Sequence, residues 1–127
     1  MTELEKRSLI DRYLSAYNAF DVDGMMASAH PKIEFENVSG GKVTASASGA
    51  DEFRQMAEQA TALFSSRRQR VTAFDATPEG ASVDIAYEAI LATDLPNGMK
   101  AGQSLKLNGR SEFEFKAGKI ARIVDYS

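Results

Sequence analysis

The stretch SLKLNGRSEFEFKAGKIARIVDY, residues 104–126, decides the fold. Leu105, Leu107, Ser111, Phe113 and Phe115 share one parity, while Lys106, Asn108, Arg110, Glu112, Glu114 and Lys116 share the other. That two-residue period predicts a long strand with one apolar and one watered face. Ala117-Gly118 reads as a turn, and Lys119 to Tyr126 as a last strand returning beside the first. Upstream, Ser82 to Thr93 alternates in the same way, with Val83, Ile85, Tyr87, Ala89 and Leu91 on one face and Asp84 and Glu88 opposite. Pro96-Asn97-Gly98 marks the hairpin tip between these strands. Pro78-Glu79-Gly80 is the turn before them, and Gln69 to Ala76 a further strand.

Ahead of this sheet the period changes. Ile10, Tyr13, Leu14 and Tyr17 recur at helical spacing, and Thr2 with Glu5 has the form of a capping box. Asp21 can cap a second helix from Val22 to about Ala29, stopped by Pro31. Lys32 to Val38 then alternates, with Ile33, Phe35 and Asn37 inward and Glu34 and Glu36 outward. Gly40-Gly41 turns into a short strand at Lys42 to Ser46. Ser48 and Asp51 form a second capping pair, opening a third helix with the stripe Phe53, Met56, Ala57, Ala60, Leu63, Phe64. Helices followed by hairpin-linked strands predict an α+β domain: a cone-like, curved, mostly antiparallel sheet with three helices on its concave face. Three short helices cannot fill a wide concavity, so a pocket bounded by the first helix, the third helix and the sheet is expected.

Composition narrows the chemistry. The 127 residues carry 15 basic and 18 acidic side chains, a net charge of −3, which fits a single domain spanning 1–127 and argues against a nucleic-acid partner. With no cysteine and one histidine there is no thiolate nucleophile, no Cys-type zinc site and no histidine cluster. No run approaches the roughly 18 apolar residues of a membrane span, and no secretory signal follows Met1, so a cytoplasmic domain without membrane contact is expected. Chemistry must then come from oxygen and amide groups, with no cofactor or metal called for.

The opening Arg12-Tyr13-Leu14-Ser15-Ala16-Tyr17-Asn18-Ala19-Phe20-Asp21-Val22-Asp23-Gly24 and the closing Phe113 to Tyr126 resemble the SnoaL-like polyketide cyclases and ketosteroid isomerases, within the nuclear transport factor 2-like superfamily. The resemblance implies the cystatin-like roll of that superfamily and a homodimer formed through the outer sheet face. Ketosteroid isomerases pair an Asp base with an oxyanion hole of Tyr and protonated Asp. By resemblance the oxyanion tyrosine falls on Tyr13, the base on Asn37 and the protonated aspartate on Ser111. An amide has no usable basicity near neutral pH, which speaks against ketosteroid isomerisation.

Tyr13 and Asn37 are the candidate catalytic groups, and Tyr17, Phe35, Phe53, Met56, Tyr87, Ser111 and Phe113 the candidate ligand-pocket residues. Each has a plainer reading as core, and a hydroxyl such as that of Ser111 satisfies itself readily on the backbone. Asp125 is the outsider, able to reach a pocket mouth only if a bulge re-aims it. Arg67, Arg68 and Arg70 read as a solvated helix end, and His30 as a helix-end or surface residue. Three functions compete: isomerase-, cyclase- or hydratase-type chemistry on a small lipophilic ligand, binding of such a ligand unchanged, or a surface for protein contact.

Overall fold

The computed structural model describes all 127 residues. Helix α1 (Glu3–Asn18) starts at Thr2, whose Oγ1 accepts from the Glu5 N–H at 3.1 Å while Glu5 Oε1 accepts from the Thr2 N–H at 2.8 Å. Helix α2 (Val22–Ala27) is capped by Asp21, and α3 (Ala50–Thr61) follows two strands, β1 (Ala29–Ser39) and β2 (Lys42–Ser48). The remaining strands are β3 (Phe64–Ala76), β4 (Gly80–Leu91), β5 (Ser104–Lys116) and β6 (Lys119–Tyr126). They form one curved, unclosed sheet in the order β2-β1-β6-β5-β4-β3, antiparallel throughout except where β1 runs parallel to β6. The α+β architecture with three helices against the sheet is as the alternation predicts. A cluster built on Leu9, Ile10, Ile33, Phe53, Val83, Phe113, Ile120 and Ile123 fills the space between the layers.

Several boundaries differ from the expected ones, each for a local reason. α2 ends at Ala27, and β1 already begins at Ala29, so His30 is a strand residue whose Nδ1 accepts the Lys32 N–H at 3.0 Å. Pro31 is tolerated there because β1 pairs with β2 only from Glu34 onward. At α3 the capping pair is not Ser48 with Asp51: Gly49 occupies the cap position with φ +86°, and the Ser48 N–H donates to Glu52 Oε1 at 3.0 Å. α3 stops at Thr61, so Leu63 and Phe64 leave its stripe and β3 starts five residues before Gln69. Arg67 is therefore inside a strand and buried, not at a solvated helix end.

Bulges decide which side chains face inward. On the β5–β6 hairpin, Phe115 pairs with Ile120 but Glu114 pairs with Arg122, leaving Ala121 as an extra residue. Ile120 and Ile123, three apart, are thus both buried, and every later residue of β6 is re-aimed. β3 carries two such irregularities, between Phe64 and Ser66 and between Val71 and Ala73. A fourth lies where Asn37 pairs with Ala45 but Val38 with Val43, leaving Thr44 extra in β2.

Candidate functional site

The inward side chains form rows across the sheet. Phe35, Ile123, Phe113 and Ala81 are successive paired neighbours on β1, β6, β5 and β4. One inward step further along the same strands the row reads Asn37, Asp125, Ser111, Val83. The first row is covered by α3 and α1: the Phe53 ring lies 5.8 Å from that of Phe35 and 6.4 Å from that of Tyr13, which is itself 6.3 Å from Phe113. Above the second row α1 supplies Tyr17 and α3 supplies no side chain. A cavity of about 260 Å³ opens there, lined by Asn37, Ser111, Asp125, Tyr17, Tyr87 and Gln69 among others. Leu107, 44% exposed, gives its mouth an apolar lip, and Gly109 forms part of the wall, where a Cβ would come within 2.5 Å of the Tyr126 carbonyl.

Asp125 is the residue that strand alternation by itself assigns to the outer face. The Ala121 bulge turns it inward, which is the condition the sequence reading attached to it. Ser111 Oγ donates to its Oδ1 at 2.6 Å, so that hydroxyl serves a carboxylate rather than the backbone. Burial raises the Asp125 pKa from the ordinary 3.8 to about 6, with the Ser111 bond pulling the other way. The readable signal was the three-residue spacing of Ile120 and Ile123, which no unbroken strand can bury together.

The other polar groups are held as tightly. Asn37 Nδ2 donates to Thr44 Oγ1 at 2.8 Å, so the bulged residue of β2 fixes the amide beside Asp125. The hydroxyls of Tyr17 and Tyr87 lie 3.0 Å apart on the cavity wall. Burial first, then the pairing with Tyr17, raises the Tyr87 pKa above that of an ordinary phenol. Tyr13 is packed among aromatic rings, and burial followed by the nearby Asp125 charge pushes its pKa well up, so it stays a protonated phenol. Of the residues expected at a pocket, Asn37, Tyr17, Tyr87 and Ser111 line this cavity; Tyr13, Phe35, Phe53, Met56 and Phe113 belong to the adjoining core. No α3 side chain lines it. Sequence reasoning missed Gln69 and Arg67, since both depend on where β3 begins.

A curved mixed sheet under three helices makes this a small α+β protein. The chain belongs to the SnoaL-like domain family, whose model matches residues 10–123. A candidate polyketide cyclase from Xanthomonas campestris pv. campestris superposes with a TM-score of 0.83 at 20% identity, covering 98% of this chain and 90% of that one. A Catenulispora acidiphila protein with a ketosteroid isomerase-like fold, solved in complex with trimethylamine, gives 0.76 at 9% identity over 94% and 84%. An LEH-like epoxide hydrolase from M. tuberculosis gives 0.77 at 15% identity over 97% and 82%. These likenesses establish the fold, in keeping with the nuclear transport factor 2-like superfamily. Comparison with curated protein sequences gives no match. No helix is long and apolar enough to cross a membrane.

Proposed function

We propose that this protein is a small-molecule enzyme in which Asp125 moves a proton on an apolar substrate bearing a carbonyl or hydroxyl group. The observation that carries this is the buried, Ser111-held carboxylate on the cavity wall, with a pKa raised to about 6. A base of that strength is mostly ionised at neutral pH yet can still return its proton, the compromise that general acid–base catalysis favours. In this reading Asp125 takes a proton from the carbon beside a substrate carbonyl and becomes the acid. The carbonyl oxygen gains the charge and accepts from a phenol of Tyr17 or Tyr87, while Asn37 orients the polar end. Return of the proton to another carbon is an isomerisation; attack of the carbanion on a second carbonyl closes a ring, with the proton passing to the new alkoxide. The apolar lip at Leu107 supports a lipophilic substrate.

Incubation in D₂O with a panel of apolar cyclic ketones, followed by mass spectrometry, tests this. Wild type should place deuterium beside the carbonyl, and Asp125→Asn should slow that by about 10²-fold or more. Exchange that survives in Asp125→Asn would show that another group is the base. Ligands retained but recovered without deuterium would make the cavity a binding site without proton transfer. The homodimer that the resemblance implies is a separate proposal, tested by sedimentation at micromolar concentration.

A further inference from the structure

Arg67 is the buried cation whose hydrogen bonds the fold leaves open. It is 5% exposed and stands on β3 two residues from Gln69, with both side chains directed to the inner face. Gln69, Tyr17 and Tyr87 line the cavity, so the guanidinium lies one row behind its wall. The Arg67 Nε–H donates to the Tyr17 carbonyl at 2.9 Å, but Nη1 and Nη2 are fully shielded and have no partner. None of the chain's ion pairs includes Arg67. The Tyr17 ring centroid is 3.7 Å from the guanidinium carbon and that of Phe20 is 4.6 Å from it. Ring stacking and the negative end of α1 compensate part of the charge. Neither accepts the remaining N–H groups, and such groups are costly to bury unpaired.

The cover over this cation is itself unusual. Asp21 N–H donates to the Ala16 carbonyl at 2.9 Å and Phe20 N–H to that of Tyr17 at 3.1 Å, so α1 ends in a Schellman motif. Phe20 occupies its left-handed position at φ +58°, where glycine is the ordinary residue and a bulky side chain is strained. What a phenylalanine adds there is its ring over Arg67.

We propose that Arg67 is an anion-receiving subsite behind the Gln69, Tyr17 and Tyr87 wall of the cavity, taking a carboxylate of the ligand when the Tyr17 ring, stacked on the guanidinium at 3.7 Å, swings aside. The ligand class is then a small apolar carboxylic acid. A planar carboxylate matches the paired Nη donors, and the Tyr17–Tyr87 hydroxyl pair borders the same path. The acid group at Arg67 leaves the apolar body of the ligand in the cavity, facing Asp125. The proposal rests on the reading of the cavity as a ligand site, and not on proton transfer by Asp125.

Calorimetric titration at pH 7 with benzoate and with methyl benzoate tests it. Wild type should bind benzoate at least about tenfold more tightly than the ester, as a charge-assisted pair requires. Arg67→Met, which keeps a long apolar stem, should abolish that preference while leaving ester binding in place. Equal affinity for the two probes, no binding of benzoate, or a preference that survives in Arg67→Met overturns the proposal. If Arg67→Met does not fold, the arginine side-chain N–H signals of ¹⁵N-labelled wild type replace it: a downfield shift with benzoate supports the subsite, and unmoved signals overturn it. Failure of Asp125 as the base would show in deuterium exchange and leave this binding difference untouched, so the two failures are separable.

Discussion

Two neighbouring rows of the same sheet face behave in opposite ways. Phe35, Ile123, Phe113 and Ala81 lie abreast beneath Phe53 and Tyr13, and the space is full. About 7 Å further along the same strands, Asn37, Asp125 and Ser111 lie abreast and the space is hollow. Apolar side chains fill a row by interdigitating, with nothing left over. Three polar groups side by side cannot be packed dry unless each finds a partner; here Ser111 bonds Asp125, Asn37 bonds Thr44, and all three line the cavity. The sheet is one continuous object; the change from core to site takes a single inward step on each strand.

Variants on either side of that step sharpen the contrast. The largest effect is expected from Phe53→Ala in the filled row, a loss of about 3–5 kcal/mol in denaturant unfolding, with the Asp125 titration unmoved. Next comes Asp125→Asn, with the opposite sign. Its pKa is about 6 in the fold against an ordinary 3.8, so ionising it costs the folded state. The group therefore favours folding while protonated, and wild type loses stability as pH rises from near 4 through 6. Asp125→Asn avoids this and should be the more stable protein at pH 8, by up to about 3 kcal/mol, with the difference closing below pH 4. A pH-independent difference would mean that Asp125 titrates as an exposed carboxylate does. Ser111→Ala removes the one bond that favours the charged form and should raise the Asp125 pKa by about one unit, read from its carboxyl ¹³C shift. An unchanged or lowered value would break the pairing of the two side chains. The smallest effect belongs to Thr44→Val, exposed on β2, with a loss of about 0.5–1 kcal/mol and a mobile Asn37 amide in its NMR spectrum.

Much of the fold was legible residue by residue. Glu5 does complete the box with Thr2, Asp21 does cap α2, and the parity of Val83 to Leu91 and of Leu105 to Phe115 does sort the β4 and β5 faces. The site was legible only in part. Asn37, Tyr17, Tyr87 and Ser111 were placed on inward faces by period alone, and they line the cavity. Asp125 was read as an outsider because strict alternation carries no term for an extra residue, and Arg67 as part of a solvated helix end because β3 begins five residues earlier than the period suggests. Phe113 shares the inward face of β5 with Ser111, and Phe53 and Met56 lie on the inward face of α3, but period alone cannot tell a filled stretch of face from an empty one.

The chain by itself determined the elements, their order and the apolar side of each, because helical and two-residue periods are local properties written in consecutive residues. Which polar side chains meet was decided only in three dimensions. A bulge is set by how two strands pair, so the inward turn of Asp125 depends on Glu114 and Phe115 across the hairpin as well as on its own strand. The cavity arises where Tyr17 of α1 meets inward residues of β1, β3, β4, β5 and β6, a relation between distant segments that no window of sequence contains.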